Sequence, residues 1–329
     1  MPKKLKIFEK VRKGSDFMKT SIAILISVIV TASVATAGAY FANSSLPDNE
    51  LWDVYDKYFM NAKYVDLTHA FSPTIPVWSA FGHAKFKPCT CGQEIPGYAE
   101  LGEEFTYEKH GFIATAYELS TDQYGTQLDP PAHFNPKGAT IDKLPSTYCI
   151  RPLVVINISD KVKDNPGYHC SVEDIKAWEK KYGEIPEGAV VMIRSDWSKR
   201  WPTNDFLSFP FPGITLDALK YLHEERHILF HGHEPLDTDT TPEMVGETWL
   251  LHHNYCQAEG VANLDKVPES GALIAIGFAK PEGGTGGYAR YIAICPPDWK
   301  YGTSIKETPG VPLPEAKEIH IRDEHGVLT

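Results

Sequence analysis

Five short apolar runs set the tightest limits on what this chain can fold into. They lie at 152–158, 189–193, 228–231, 273–278 and 289–294, each four to seven residues long and rich in Val and Ile. Runs of that length and composition suit buried strands. Helix starts fall between several of them. Ser171-Val-Glu-Asp174 carries an N-cap pattern, and Gly183 closes the helix it opens. Thr215 caps a second helix through about residue 225. Thr241-Pro242 sets Pro directly after a cap and starts a third, running to about residue 253. No repeat or low-complexity linker follows Asn43. The pattern predicts one α/β domain, a mixed β-sheet with packed helices, over 64–329.

The first forty residues belong to something else. Residues 22–42 carry no charge, and six lysines and Arg12 precede them. Residues 22–30 read as the apolar core of a signal peptide, with Ala35-Thr-Ala37 as the small-residue cleavage pattern near 37/38. Uncleaved, the segment would be a membrane anchor, since about 20 apolar residues span a bilayer. Either way residues 1–42 predict an exported chain, periplasmic or secreted, that meets a membrane only through this segment. Residues 43–63 form a lead-in, helical around 51–59. Taking residues 1–37, with seven basic and two acidic side chains, off a chain of net charge −11 leaves −16. So acidic a body argues against nucleic acid or an anionic membrane as partner. The six cysteines permit disulfides without demonstrating them; Cys89-Thr-Cys91 has no partner pair for a zinc knuckle, and all six read as structural.

Chemistry concentrates in Gln123-Tyr-Gly-Thr-Gln127-Leu-Asp129-Pro-Pro-Ala-His133. On a strand, even separations put Gln123, Gln127 and Asp129 on one face. Gly125 lets backbone approach closely, and Pro130-Pro131 ends the strand and re-aims His133. Three oxygen donors beside an imidazole make a divalent-metal site with a general base, although the spacing alone is weakly specific.

The same segment is similar to the signature of the cyclase family of metal-dependent hydrolases, which includes bacterial kynurenine formamidases and isatin hydrolases. That signature reads His-x-Gly-Thr-His-x-Asp-x-Pro-x-His. Gly125, Thr126, Asp129, Pro131 and His133 stand in register, while Gln123 and Gln127 replace the two early histidines. Val65-Asp66-Leu67-Thr68-His69 with Trp78, Val191-Met-Ile-Arg194, and Glu259-Gly-Val-Ala-Asn263 follow in family order, so the resemblance spans roughly 64–296. It implies the family's swivelling β/β/α fold and a homodimer. It also implies a metal held by Gln123, Gln127 and Asp129, with Glu259 as a further ligand or hydrogen-bond partner and His133 moving the proton. Amide oxygens are poorer zinc ligands than imidazoles, so the set leans toward a harder ion such as Mn²⁺, or toward weaker binding of Zn²⁺. The family spacing places Glu247 where a histidine could stand, but a glutamate there reads more readily as an exposed helix position.

The implied reaction opens a C–N amide bond of an aryl formamide or cyclic amide, the ion acidifying a water and polarising the carbonyl. Gln-x3-Gln-x-Asp also resembles the trans-dienelactone hydrolase branch, so a lactone is the alternative. A catalytically silent binding protein of the envelope is the reading from a different class. Trp78, Phe81 and Tyr124 would wall a pocket for an aromatic or cyclic small molecule. His252-His253 cannot both face one ion on a helix. His231-Gly-His233 reads as structural, and Gly283-Gly-Thr-Gly-Gly287 as a flexible turn rather than a phosphate loop.

Overall fold

The computed structural model describes residues 49–308 and 310–329, so the predicted export segment lies outside the described residues. The chain divides at Lys57/Tyr58 into two units. In the first, the described residues form helix α1 (Glu50–Val54), and a π-helical turn (Tyr55–Phe59) follows, where the lead-in predicts helix. Among the described residues no helix is long and apolar enough to cross a membrane.

Strands of the second unit are, in order, β1 (Lys63–Asp66), β2 (Lys85–Pro88), β3 (Thr115–Glu118), β4 (Gln127–Asp129), β5 (Ile150–Asn157) and β6 (His169–Cys170). There follow β7 (Val190–Arg194), β8 (Gly213–Ile214), β9 (Phe230–His233), β10 (Cys256–Glu259), β11 (Ala272–Phe278) and β12 (Gly287–Cys295). Helices α2 (Tyr107–His110), α3 (Ser159–Asp164), α4 (Val172–Tyr182), α5 (Leu216–Lys220) and α6 (Val245–His252) lie between them. All five apolar runs are strands, with bounds displaced by no more than two residues.

The main sheet runs β1-β12-β11-β5-β7-β9-β10-β4 and is mixed, as expected. It does more than stack: β4 also pairs with β12, through Gly287↔Leu128 and Tyr288↔Gln127. That two-residue seam closes seven strands into a barrel. Period-two alternation then sorts side chains. Leu128, Leu153, Met192, Phe230, Ala258 and Tyr291 fill the interior. Val154, Ile156, Val191 and Ile193 face outward and are covered by Ile175 and Trp178 of α4, Leu219 of α5 and Leu250 of α6. Both faces of β5 and β7 are therefore apolar, which is why they read as uninterrupted runs.

Helix α4 has the predicted cap as a full capping box, Ser171 with Asp174. The third predicted helix starts three residues late, at Val245. Met244 sits in a left-handed conformation (φ 47°), and Thr241 Oγ1 accepts from Val245 N at 2.8 Å. Asp239 satisfies the first turn from outside, its Oδ2 accepting from Gly246 N at 2.8 Å and Glu247 N at 3.2 Å. All six cysteines are free thiols.

Just past β9, Glu234 anchors the loop that leads to α6. Its Oε2 accepts from Ser195 Oγ (2.8 Å), Ser195 N (3.2 Å), Trp197 N (2.6 Å) and Ser198 N (3.4 Å). Burial pushes its carboxyl up to about 7, and these donors work against that shift. Glu234→Ala would strand buried donors at about 1–3 kcal/mol each. Urea unfolding should therefore show a loss of about 3 kcal/mol or more; a near-neutral result would remove Glu234 as the anchor.

Candidate metal centre

Antiparallel pairing sets Gln257 opposite Asp129 and Glu259 opposite Gln127. Because Leu128 and Ala258 point into the barrel, these four polar side chains project together from its outer face. Strand β9 lies alongside, with His231 against Gln257. Gly232 between its two histidines is required by close packing, since a Cβ there would stand 2.8 Å from that of Ala258. Helix α6 lays Glu247 over the cluster, the loop after β9 brings Asp237, and the 3-10 turn Pro131–His133 brings His133. Gln123, Gln127, His133, Asp237, Glu247 and Glu259 line one cavity of about 240 Å³, with Trp78 and Phe81 among its apolar walls.

Hydrogen bonds fix which way the amides face. Gln127 Nε2 donates to Glu259 Oε2 at 2.6 Å, and Gln257 Nε2 donates to Glu259 Oε1 (2.8 Å) and Asp129 Oδ2 (3.2 Å). Gln123 Nε2 donates to the Thr285 carbonyl at 3.1 Å and lies 3.4 Å from His133 Nδ1. What remains is informative. Gln123 Oε1, Gln127 Oε1 and Asp129 Oδ1 are buried and have no hydrogen-bond partner among the described residues. Three acceptors of this kind are costly unless something positive meets them.

The charge balance points the same way. Burial raises the Asp129 carboxyl, with His133 and the Gln257 hydrogen bond pulling it back. Asp237 is pushed up to about 6 by burial and by Asp129 and Asp239. Glu247 and Glu259 lie well above the usual carboxylate range, through burial and then their acidic neighbours. Among the described residues no Lys or Arg lines the cavity. Ligand atoms of Asp129, His133 and Glu247 lie within 4.8 Å of one another, as do those of Asp237, Glu247 and Glu259. A cluster rich in carboxyl groups and unpartnered oxygens fits a divalent, oxygen-preferring ion.

The structure thus brings Gln123, Gln127, Asp129, His133 and Glu259 together, but by routes that differ from the sequence reading. Gln123 is not on the strand, which begins only at Gln127. A loop turned by Gly125 (φ 63°) delivers it. Asp122 holds the Gly-rich turn against that loop, accepting from Thr285 N and Gly286 N at 2.9 Å each. Trp78 reaches the cavity and is 58% exposed. Tyr124 does not reach it. It is 1% exposed, packs with Ile75, Val77 and Ala84, and donates its hydroxyl to the Gly82 carbonyl. Glu247 is buried in the site rather than exposed on its helix. His231 and His233 stand behind the carboxyl groups, His233 Nε2 lying 3.6 Å from Glu259. Two further residues of the site escape the sequence reading. Gln257 carries a legible signal, because Cys256-Gln-Ala-Glu259 alternates in the same way as β4; Asp237 sits on a loop and carries no pattern.

The chain belongs to the cyclase family of metal-dependent hydrolases, and the family model described as "Putative cyclase" matches residues 65–240. Among individual relatives it is similar to the isatin hydrolase of Roseibium aggregatum, with 29% identity over 252 residues, 70% of this chain and 91% of that protein. Isatin hydrolase A from Labrenzia aggregata, solved with benzyl benzoate, aligns with a TM-score of 0.64 at 26% identity, covering 75% of this chain and 98% of that one. Isatin hydrolase A from Ralstonia solanacearum gives 0.63 at 27% identity, covering 77% and 99%.

Proposed function

We propose that this protein hydrolyses the C–N bond of a cyclic amide or aryl formamide at a divalent ion held by Gln123, Gln127 and Asp129, with Glu259 beside them. The observation that carries the reading is the set of three buried, unpartnered oxygens on those first three residues, Gln123 and Gln127 lining the cavity and Asp129 within 4.8 Å of its His133 and Glu247. Resemblance to isatin hydrolases supports the cyclic amide. When bound, the ion supplies Lewis acidity toward the scissile carbonyl and an acidified water. His133 takes the water's proton and returns it to the leaving nitrogen. Glu259 and Thr285 orient the two glutamine amides so that their oxygens stay available. Trp78 and Phe81 hold a planar ring over the reacting carbonyl. With amide oxygens in place of imidazoles, the site prefers Mn²⁺ to Zn²⁺. The Gln123 and Gln127 pair favours a second reading, a lactone opened at the same groups. Export through residues 1–42 and a homodimer complete the proposal and rest on the sequence.

Dialysis against a chelator, reloading with Mn²⁺ or Zn²⁺, and assay on isatin, N-formylkynurenine and an unsaturated lactone test it. Turnover should vanish with the ion and return best with Mn²⁺. A protein that retains neither ion after incubation and turns over none of the three would be the silent binding protein instead.

A further inference from the structure

A second cavity, of about 580 Å³, adjoins the first, and Trp78, Leu236, Asp237 and Met244 line both. Its outer wall comes from the segment after β7, with Phe206, Leu207, Phe209 and Phe211; Thr240 and Pro242 close it from the loop before α6. Leu207 is 40% exposed and Phe209 73%. Among the described residues no Lys or Arg lines this chamber. Of its two acidic residues, Asp239 is occupied by the Thr241 hydroxyl and the backbone of α6, and Asp237 stands at the boundary with the metal cavity. An apolar, partly open chamber with no free charge of its own suits a neutral hydrophobic group.

From this shape, and resting on the hydrolase reading above, we infer that the substrate is bipartite. Its scissile carbonyl and first ring occupy the inner cavity, and an uncharged aryl or alkyl substituent extends past Trp78 and Met244 into the outer one. The inner cavity by itself falls below the range of about 300–1,000 Å³ usual for small-molecule sites. With the outer chamber the site lies within it. Carboxyl groups at the boundary disfavour an anionic substituent, so the class is neutral aryl- or alkyl-extended amides and lactones.

A matched pair tests this: formanilide and N-formyl-4-benzylaniline. On Mn²⁺-loaded protein the added ring should raise kcat/KM on the order of 10-fold or more, the scale of burying one apolar ring. On metal-free protein, quenching of tryptophan fluorescence should show the same ratio in Kd. Ser79 lines only the outer chamber and is exposed, so Ser79→Trp should fill the chamber, abolish the gain and leave formanilide unchanged. Leu207→Ser should reduce the gain without filling anything. Equal constants for the pair, as when a second copy of the chain covers the chamber, or a gain that survives Ser79→Trp, would overturn the inference. If neither compound is hydrolysed, the hydrolase reading fails separately, and the Kd ratio still decides whether the chamber binds the second ring.

Discussion

Asp129→Asn should abolish divalent-ion binding and hydrolysis together. Asp129 is fully buried, its Oδ2 already accepts from Gln257, and its Oδ1 has no partner. Asparagine keeps the shape and an oxygen for Gln257 but removes the charge between two neutral amide ligands. Stability should move in the opposite direction. Burial raises the Asp129 carboxyl, so the folded metal-free chain holds this proton more tightly than the unfolded chain does. That contribution is present below the unfolded carboxylate pKa and is lost as pH rises through the raised folded value. Above that range, the Asp129→Asn protein has no such loss. On the alkaline side of that range the variant should melt at or above metal-free wild type and gain nothing from Mn²⁺, whereas wild type should gain with ion concentration. Thermal melts with elemental analysis read both effects. A variant that keeps its ion and the Mn²⁺ shift would defeat the assignment. In the same experiment, Gln123→His with Gln127→His should move the preference toward Zn²⁺.

His133→Ala should lower turnover on the order of 100-fold or more while the ion stays bound. The geometry makes this a real choice, because His133 lies within 4.8 Å of Asp129 and Glu247 and could itself be a ligand. Its Nδ1 lies 3.4 Å from the Gln123 amide, and its ring stacks on Phe134 with centroids 4.9 Å apart, so the imidazole is held in place without an ion. A proton carrier leaves metal content unchanged when removed, while turnover falls. Loss of the ion would instead make His133 a ligand.

Where alternation governs, the sequence can be read closely. Gln127 and Asp129 flank Leu128, so one inward Leu fixes two outward ligands. Where a loop governs, it cannot. Tyr124 reads as a pocket wall together with Trp78 and Phe81, yet its neighbour Gln123 turns toward the cavity while Tyr124 turns into a separate aromatic cluster. Glu247 reads as an exposed helix position, because a glutamate stands where the family spacing would allow a histidine. Gly246 lets that helix pack tightly, since a Cβ there would lie 2.8 Å from Asp239 Oδ2 and 3.0 Å from Leu219 Cδ1. The closure of the barrel leaves no trace in hydrophobic pattern, because two residue pairs make it.

That narrow closure governs when the centre can exist during synthesis. Gln123, Gln127, Asp129, His133, Asp237, Glu247 and Glu259 have all been made by the time the chain reaches Lys280. Strand β4 nevertheless lies between β10 and a strand that begins at Gly287. A nascent chain stopped at Lys280 would carry every donor, with β4 held by β10 on one side and open on the other. The centre is therefore complete only once β12 has closed against β4, and metal loading should follow that step.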